Sequence, residues 1–180
     1  SFTNFSLRKI TKPAAWQPLP AGDGQTLNLR AQTNGRFFQS YSLSFVEPWL
    51  GGRKPNALSI SAFHSAQSNG ERKYVDTEDG RVDNPLRQSL LITGGSVGLG
   101  KRLTWPDDYF LLRQTISYQL YDLRNWNQLF AFNNGQSNVL AYQIQLSRNS
   151  VDQPFFARSG SDISLSLKAT PPYSWFQPGR

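Results

Sequence analysis

A Ser-His-Asp hydrolase needs an imidazole base, and this chain offers a single histidine, His64. Such a triad would have to place a serine within hydrogen-bond reach of that ring. Ser65 follows directly, but no G-x-S-x-G turn stands nearby to present a nucleophile. His64 therefore reads as a polar strand-end residue. Asp107 and Asp108 are neighbours, so on a strand or tight turn their carboxylates point apart instead of gripping one metal ion. Aspartates in turns bond their own backbone two residues on, and that is the role expected here. Glu47 precedes Pro48 and could meet a cation, but no second ligand stands at useful spacing. The glycines of Gly94–Gly100 (GGSVGLG) suggest a phosphate loop, yet the Lys-Ser/Thr ending is missing and the segment leads into a strand. Cysteine is absent, which removes disulfides and thiolate chemistry. No catalytic residue, metal ligand or cofactor is expected, and the chain does not read as an enzyme.

The elements that carry these residues are more informative than the residues themselves. In Phe37–Gly52 (FFQSYSLSFVEPWLGG), Tyr41, Leu43 and Phe45 alternate with Ser40, Ser42 and Ser44. A period of two is a β-strand whose faces meet different surroundings. Glu47-Pro48 ends the strand, since proline cannot donate to a ladder. Trp49 stands at its tip, before a Gly51-Gly52 turn. An apolar outer face, a small polar inner face and an aromatic at the rim describe a transmembrane barrel strand.

The same rhythm recurs. Ser1–Ile10 reads as a strand with Phe5 and Leu7 on one face, Asn4 and Ser6 on the other. Thr11–Gly24, with three prolines, reads as loop. Leu27, Leu29 and Ala31 oppose Asn28, Arg30 and Gln32, and Thr33-Asn34-Gly35 signals a hairpin. Leu58, Ile60 and Ala62 oppose Ser59 and Ser61. Gln67–Gln88 is a polar connection with room for a short hairpin. Val97 and Leu99 oppose Ser96, Gly98 and Gly100 within Ser96–Leu103, and Trp105–Tyr109 is a rim turn. Leu112, Ile116, Tyr118 and Leu120 oppose Arg113, Thr115, Ser117 and Gln119. Arg124–Gln136 is a connection. Leu140, Tyr142, Ile144 and Leu146 oppose Ala141, Gln143, Gln145 and Ser147. After a loop at Arg148–Ser161, Ile163, Leu165, Leu167 and Ala169 oppose Ser164, Ser166 and Lys168. Pro171–Arg180 is an aromatic- and proline-rich end. That gives eight antiparallel strands, with inward faces mostly of Ser, Thr, Gln and Gly.

Composition agrees: aromatics reach 13% while charged residues are only 17%. No apolar run approaches the roughly 20 residues of a membrane helix, but barrel strands hide their apolar residues in alternation. The net charge is +7. Arg30, Arg53, Arg102, Arg113, Arg148 and Arg158 are scattered singly, which argues against nucleic acid as a partner. Trp49, Trp105, Tyr109, Trp126 and Trp175 fall at strand ends, where amphipathic rings form the belts of a membrane barrel.

Several motifs resemble the BamA-type assembly factors of the bacterial outer membrane, in their Bacteroidetes-like form: NFSLRKI, LNLRAQTNG, FVEPWLGGRKPN, VGLGKRLTWPDDYF and SRNSVDQPFFARSGSDISLSLKATPPYSWF. They run through nearly the whole chain in the family's order. Ala157 departs from the proline common at that turn. The resemblance implies an all-β, antiparallel transmembrane barrel of sixteen strands preceded by POTRA domains. Neither POTRA domains nor the arginine motif of the barrel's second half lies in these residues, so residues 1–180 are expected to be the N-terminal half of a single barrel domain. By the same resemblance, Phe2, Thr3, Asn4, Phe5, Ser6 and Leu7 border a lateral gate that pairs with incoming client strands. The implied partners are outer-membrane lipid, β-barrel clients and other subunits of an assembly complex. Two other readings stay open: a porin-like channel, and a secreted β-sandwich that stacks carbohydrate on its exposed Trp and Tyr rings.

Overall fold

The computed structural model describes residues 1–12, 14, 16, 20–50, 56–77, 80–126, 134–152 and 158–171. Gly51-Gly52, Ala157, Tyr173 and Trp175 lie outside them. Ten strands form in chain order: β1 (Phe2–Phe5), β2 (Gln25–Asn34), β3 (Phe38–Glu47), β4 (Asn56–Ser68), β5 (Tyr74–Thr77), β6 (Gly80–Asp83), β7 (Ser89–Arg102), β8 (Phe110–Arg124), β9 (Gly135–Asn149) and β10 (Asp162–Ala169). Eight of them make one antiparallel sheet in the order β1-β2-β3-β4-β7-β8-β9-β10. The central strands run 10 to 15 residues, enough for a tilted strand to cross a bilayer. β5 and β6 form a separate hairpin inside the β4–β7 connection.

The register carries each strand's two faces across the whole sheet. One lane of paired residues reads Leu27, Phe45, Ile60, Val97, Ile116 and Tyr142. The lane beside it, on the opposite face, reads Asn28, Ser44, Ser61, Ser96, Ser117 and Ala141. Every alternation read from the sequence lands on a consistent side. A slip of one residue anywhere would invert all strands beyond it. The apolar face is not packed against a second layer: Leu29, Val97, Ile116 and Tyr118 are each about half exposed. A sandwich would cover such residues with another sheet, so the carbohydrate-binding sandwich is not this architecture. A wide apolar band on a single-layer sheet needs lipid as its partner.

Polar side chains on the two faces are satisfied locally. On the inner face Ser61 and Ser96 share a hydrogen bond of 2.8 Å. On the outer face the Tyr142 hydroxyl donates to Gln114 Oε1 at 2.8 Å.

Three boundaries differ from the sequence reading. The first strand ends at Phe5, because Asn4 adopts a left-handed backbone (φ 62°) and a 3-10 turn occupies Leu7–Lys9. β7 begins at Ser89, seven residues before the alternation signals it. Its early part is apolar on both faces: inward Leu90 and Ile92 pack with Leu123, Tyr121 and Trp126. The inner face is thus not uniformly small and polar. Phe63 is a further inward exception, and its ring lies over Gly94, the paired position of β7. A methyl added at Gly94 would meet that ring at 2.8 Å and the Tyr118 carbonyl oxygen at 2.9 Å. Gly94→Ala should therefore destabilise the folded sheet by about 1–3 kcal/mol in urea unfolding from detergent or bilayer. Gly100→Ala, whose methyl would stand 3.8 Å from the Ala57 side chain, should shift stability by less than about 1 kcal/mol.

Candidate functional site

The sheet leaves two edges, and their construction differs. β10 pairs with β9 in unbroken register over eight residues, from Asp162↔Asn149 to Ala169↔Tyr142. Its whole length is exposed, with Ile163, Leu165 and Leu167 each at least 60% accessible. β1 meets β2 only at Phe2↔Leu27 and Phe5↔Gln25, with a register shift between them. The bulge follows from Asn4, whose positive φ turns the strand out of line. A bulged strand of four residues offers few ladder bonds to hold it in place.

What secures the first edge lies at its end. The Ser6 amide donates to the Pro20 carbonyl at 2.9 Å, and its hydroxyl donates to Asp23 at 2.5 Å. Ser6 is fully buried and Phe5 nearly so. The Leu7 amide donates to Gln25 Oε1 at 2.8 Å, and Gln25 Nε2 donates to Glu47 at 2.5 Å. The other Glu47 oxygen accepts the Trp49 amide at 3.1 Å. One chain of hydrogen bonds thus links the ends of β1, β2 and β3. Glu47 is a strut in this chain, and the EPW sequence is the turn it stabilises. Of the gate positions read from the sequence, Phe2, Thr3, Asn4 and Phe5 form the edge strand. Ser6 and Leu7 instead anchor it.

The connections after β3 and β7 leave the sheet at the same end, since those strands run parallel to one another across β4. Trp49, Trp105 and Tyr109 stand there, and all three are at least half exposed. Trp126 follows β8 at the opposite end and corrects the sequence reading: it is 9% exposed, packed with Leu90 and Leu123. Its strand-end position signalled a belt residue, but its inward side puts it in the small apolar cluster. Asp107 bonds the Tyr109 amide at 3.0 Å, as a turn aspartate should, and also pairs with Arg148 at 2.9 Å. The Arg148 guanidinium lies 5.7 Å from the Tyr109 ring centre and 5.8 Å from that of Phe110. Asp107 is therefore a fastener of the rim. His64 lies within β4, not at its end, on the outer face, where its Nδ1 meets the Thr93 hydroxyl at 2.8 Å. The sequence gave no sign of that pairing, which depends on the β4–β7 register.

A one-layer antiparallel sheet with an exposed apolar band, a wet inner face and aromatic rings at its rim defines a wall of an outer-membrane β-barrel. A profile of the Omp85 superfamily domain matches residues 21–177. The chain belongs to the Omp85 superfamily, whose members are outer-membrane barrels that insert or secrete proteins without enzymatic chemistry. No individual curated protein matches it in sequence.

The anchor of the first edge is open to test. Gln25→Leu leaves the Leu7 amide and the Glu47 carboxylate without their partner. Amide exchange at Ser6 and Leu7 should then quicken by an amount equivalent to about 1–3 kcal/mol. Unchanged exchange would remove Gln25 from the account of how β1 is held.

Proposed function

We propose that this chain is the N-terminal half of the barrel of a BamA-type assembly factor, of the Bacteroidetes-like form, which folds and inserts β-barrel clients. The observation that supports this reading is the asymmetry of the two edges. β1 is short, bulged and held by two register pairs, so its outward-facing backbone groups can be exposed at small cost. β10 is regular along all eight residues and suits permanent pairing with a further strand of the same barrel. A client strand that adds to β1 satisfies backbone donors and acceptors that hydrocarbon would leave unpaired, each at a cost of several kcal/mol. No covalent step or cofactor enters. Phe2, Thr3, Asn4 and Phe5 are the pairing strand, with Ser6 and Leu7 as its hinge. Trp49, Trp105 and Tyr109 anchor the outer membrane interface near the gate's loop end. Other subunits of an assembly complex and the surrounding outer-membrane lipid complete the partners.

A photocrosslinker at Thr3 in the full-length protein, followed during insertion of a barrel client, tests this. Crosslinks to the client's terminal strand are expected from Thr3, and not from Ser166 on the β10 edge. Client crosslinks from neither edge, together with steady ion conductance, would replace this reading with a porin-like channel.

A further inference from the structure

The basic residues are dispersed in sequence, yet six of them line one cavity of about 710 Å³: Arg36, Arg72, Lys73, Arg81, Arg87 and Arg124. They come from the β2–β3 turn, the β4–β7 excursion and the last residue of β8. Only two carboxylates, Glu71 and Asp83, line the same space. Among the described residues, Arg81 alone of the six forms an ion pair, with Asp76 at 3.8 Å. Lys73 and Arg81 also flank the Tyr74 ring, at 5.0 and 5.4 Å from its centre. Like charges gathered this closely raise the energy of the empty site and favour an anion within it.

The cavity's position narrows the choice of anion. Its floor includes Gln39, Ala66, Ser89 and Leu91, which all occupy the outward register of their strands. The cavity therefore opens beside the apolar band and away from the barrel interior. One step along the same face, Tyr41, His64 and Thr93 border a second hollow of about 600 Å³, with Leu29, Leu43 and Ala62 in its wall. A cationic cavity thus adjoins an apolar groove on the surface that meets lipid. The fitting ligand carries a negative head on an apolar tail.

We infer that this is a headgroup site for an anionic phospholipid, with the phosphate among the arginines and an acyl chain along Tyr41 and Leu43. The inference rests on the outward face meeting lipid and is independent of the gate.

The full-length protein in phosphatidylcholine bilayers, doped with spin-labelled phosphatidylglycerol or spin-labelled phosphatidylcholine, provides the test. Paramagnetic resonance reads the motionally restricted lipid fraction. Phosphatidylglycerol should be preferred by about tenfold at the site, and Arg72→Gln/Arg87→Gln/Arg124→Gln should abolish that preference. The corresponding triple lysine variant should keep it, which separates lost charge from lost fold. Arg30→Gln/Arg113→Gln, on the inner face, should also keep it. Inorganic phosphate at constant ionic strength should not displace the lipid; displacement would mean a soluble-anion site and overturn the lipid assignment. Equal restriction of the two lipids by the unaltered protein, or a preference that survives the glutamine variant, would overturn it as well. Client insertion is not read in this experiment, so failure of the gate reading would leave its outcome unchanged.

Discussion

Hydrocarbon offers no partner to a backbone N–H or C=O, and this constraint governs the whole structure. A single-layer sheet can satisfy it only through continuous pairing between neighbouring strands. The long, unbroken registers from β2 to β10 are that solution. Once pairing is fixed, each residue's side follows from parity alone. The outer face must then be apolar, and any polar group placed there needs a partner within the sheet. Gln114 with Tyr142 and His64 with Thr93 meet that need without water. The constraint also gives the edges their significance, since β1 and β10 each have a side with no neighbour in the sheet.

The lengths and composition of the connections follow from the two ends of the sheet. At one end Glu47, Gln25 and the Ser6–Leu7 backbone bind three strand ends together. Asp107 and Arg148 do the same for the β7–β8 and β9–β10 connections, with Ser150 and Ser161 completing the arginine's partners. The opposite end is built by apolar packing of Leu90, Leu123 and Trp126 within, and by the basic cavity without. One end is pinned by polar fasteners and the other by a small core.

The strand pattern was legible in the sequence because facing depends on local alternation, which needs no knowledge of neighbours. Leu43, Ile60, Val97, Ile116 and Leu140 were assigned their side correctly from that signal alone. It failed where both faces are apolar, as in the LLIT of early β7, since inward Leu90 and Ile92 remove the contrast. It failed again at β1, where the left-handed Asn4 breaks a strand that NFSLRK appears to continue. The sites formed by convergence were not legible at all. Arg36 and Arg124 are far apart in sequence and meet only through the register of four strands. The same register pairs Phe63 with Gly94, a contact that no local pattern announces. Trp126 shows the matching limit for aromatics: a strand-end position fixes the depth of a ring but not its side.

The central claim is that parity along each strand separates lipid from water. A nitroxide scan along β8 in bilayers addresses it directly, aided by the absence of cysteine from the chain. Collision with oxygen marks hydrocarbon, and collision with a water-soluble nickel chelate marks the wet interior. Labels at Leu112, Ile116, Tyr118 and Leu120 should favour oxygen, and those at Arg113, Thr115, Ser117 and Gln119 the chelate, in strict alternation. Equal access of either reagent to both sets would contradict a barrel wall and, with it, the account built on that face.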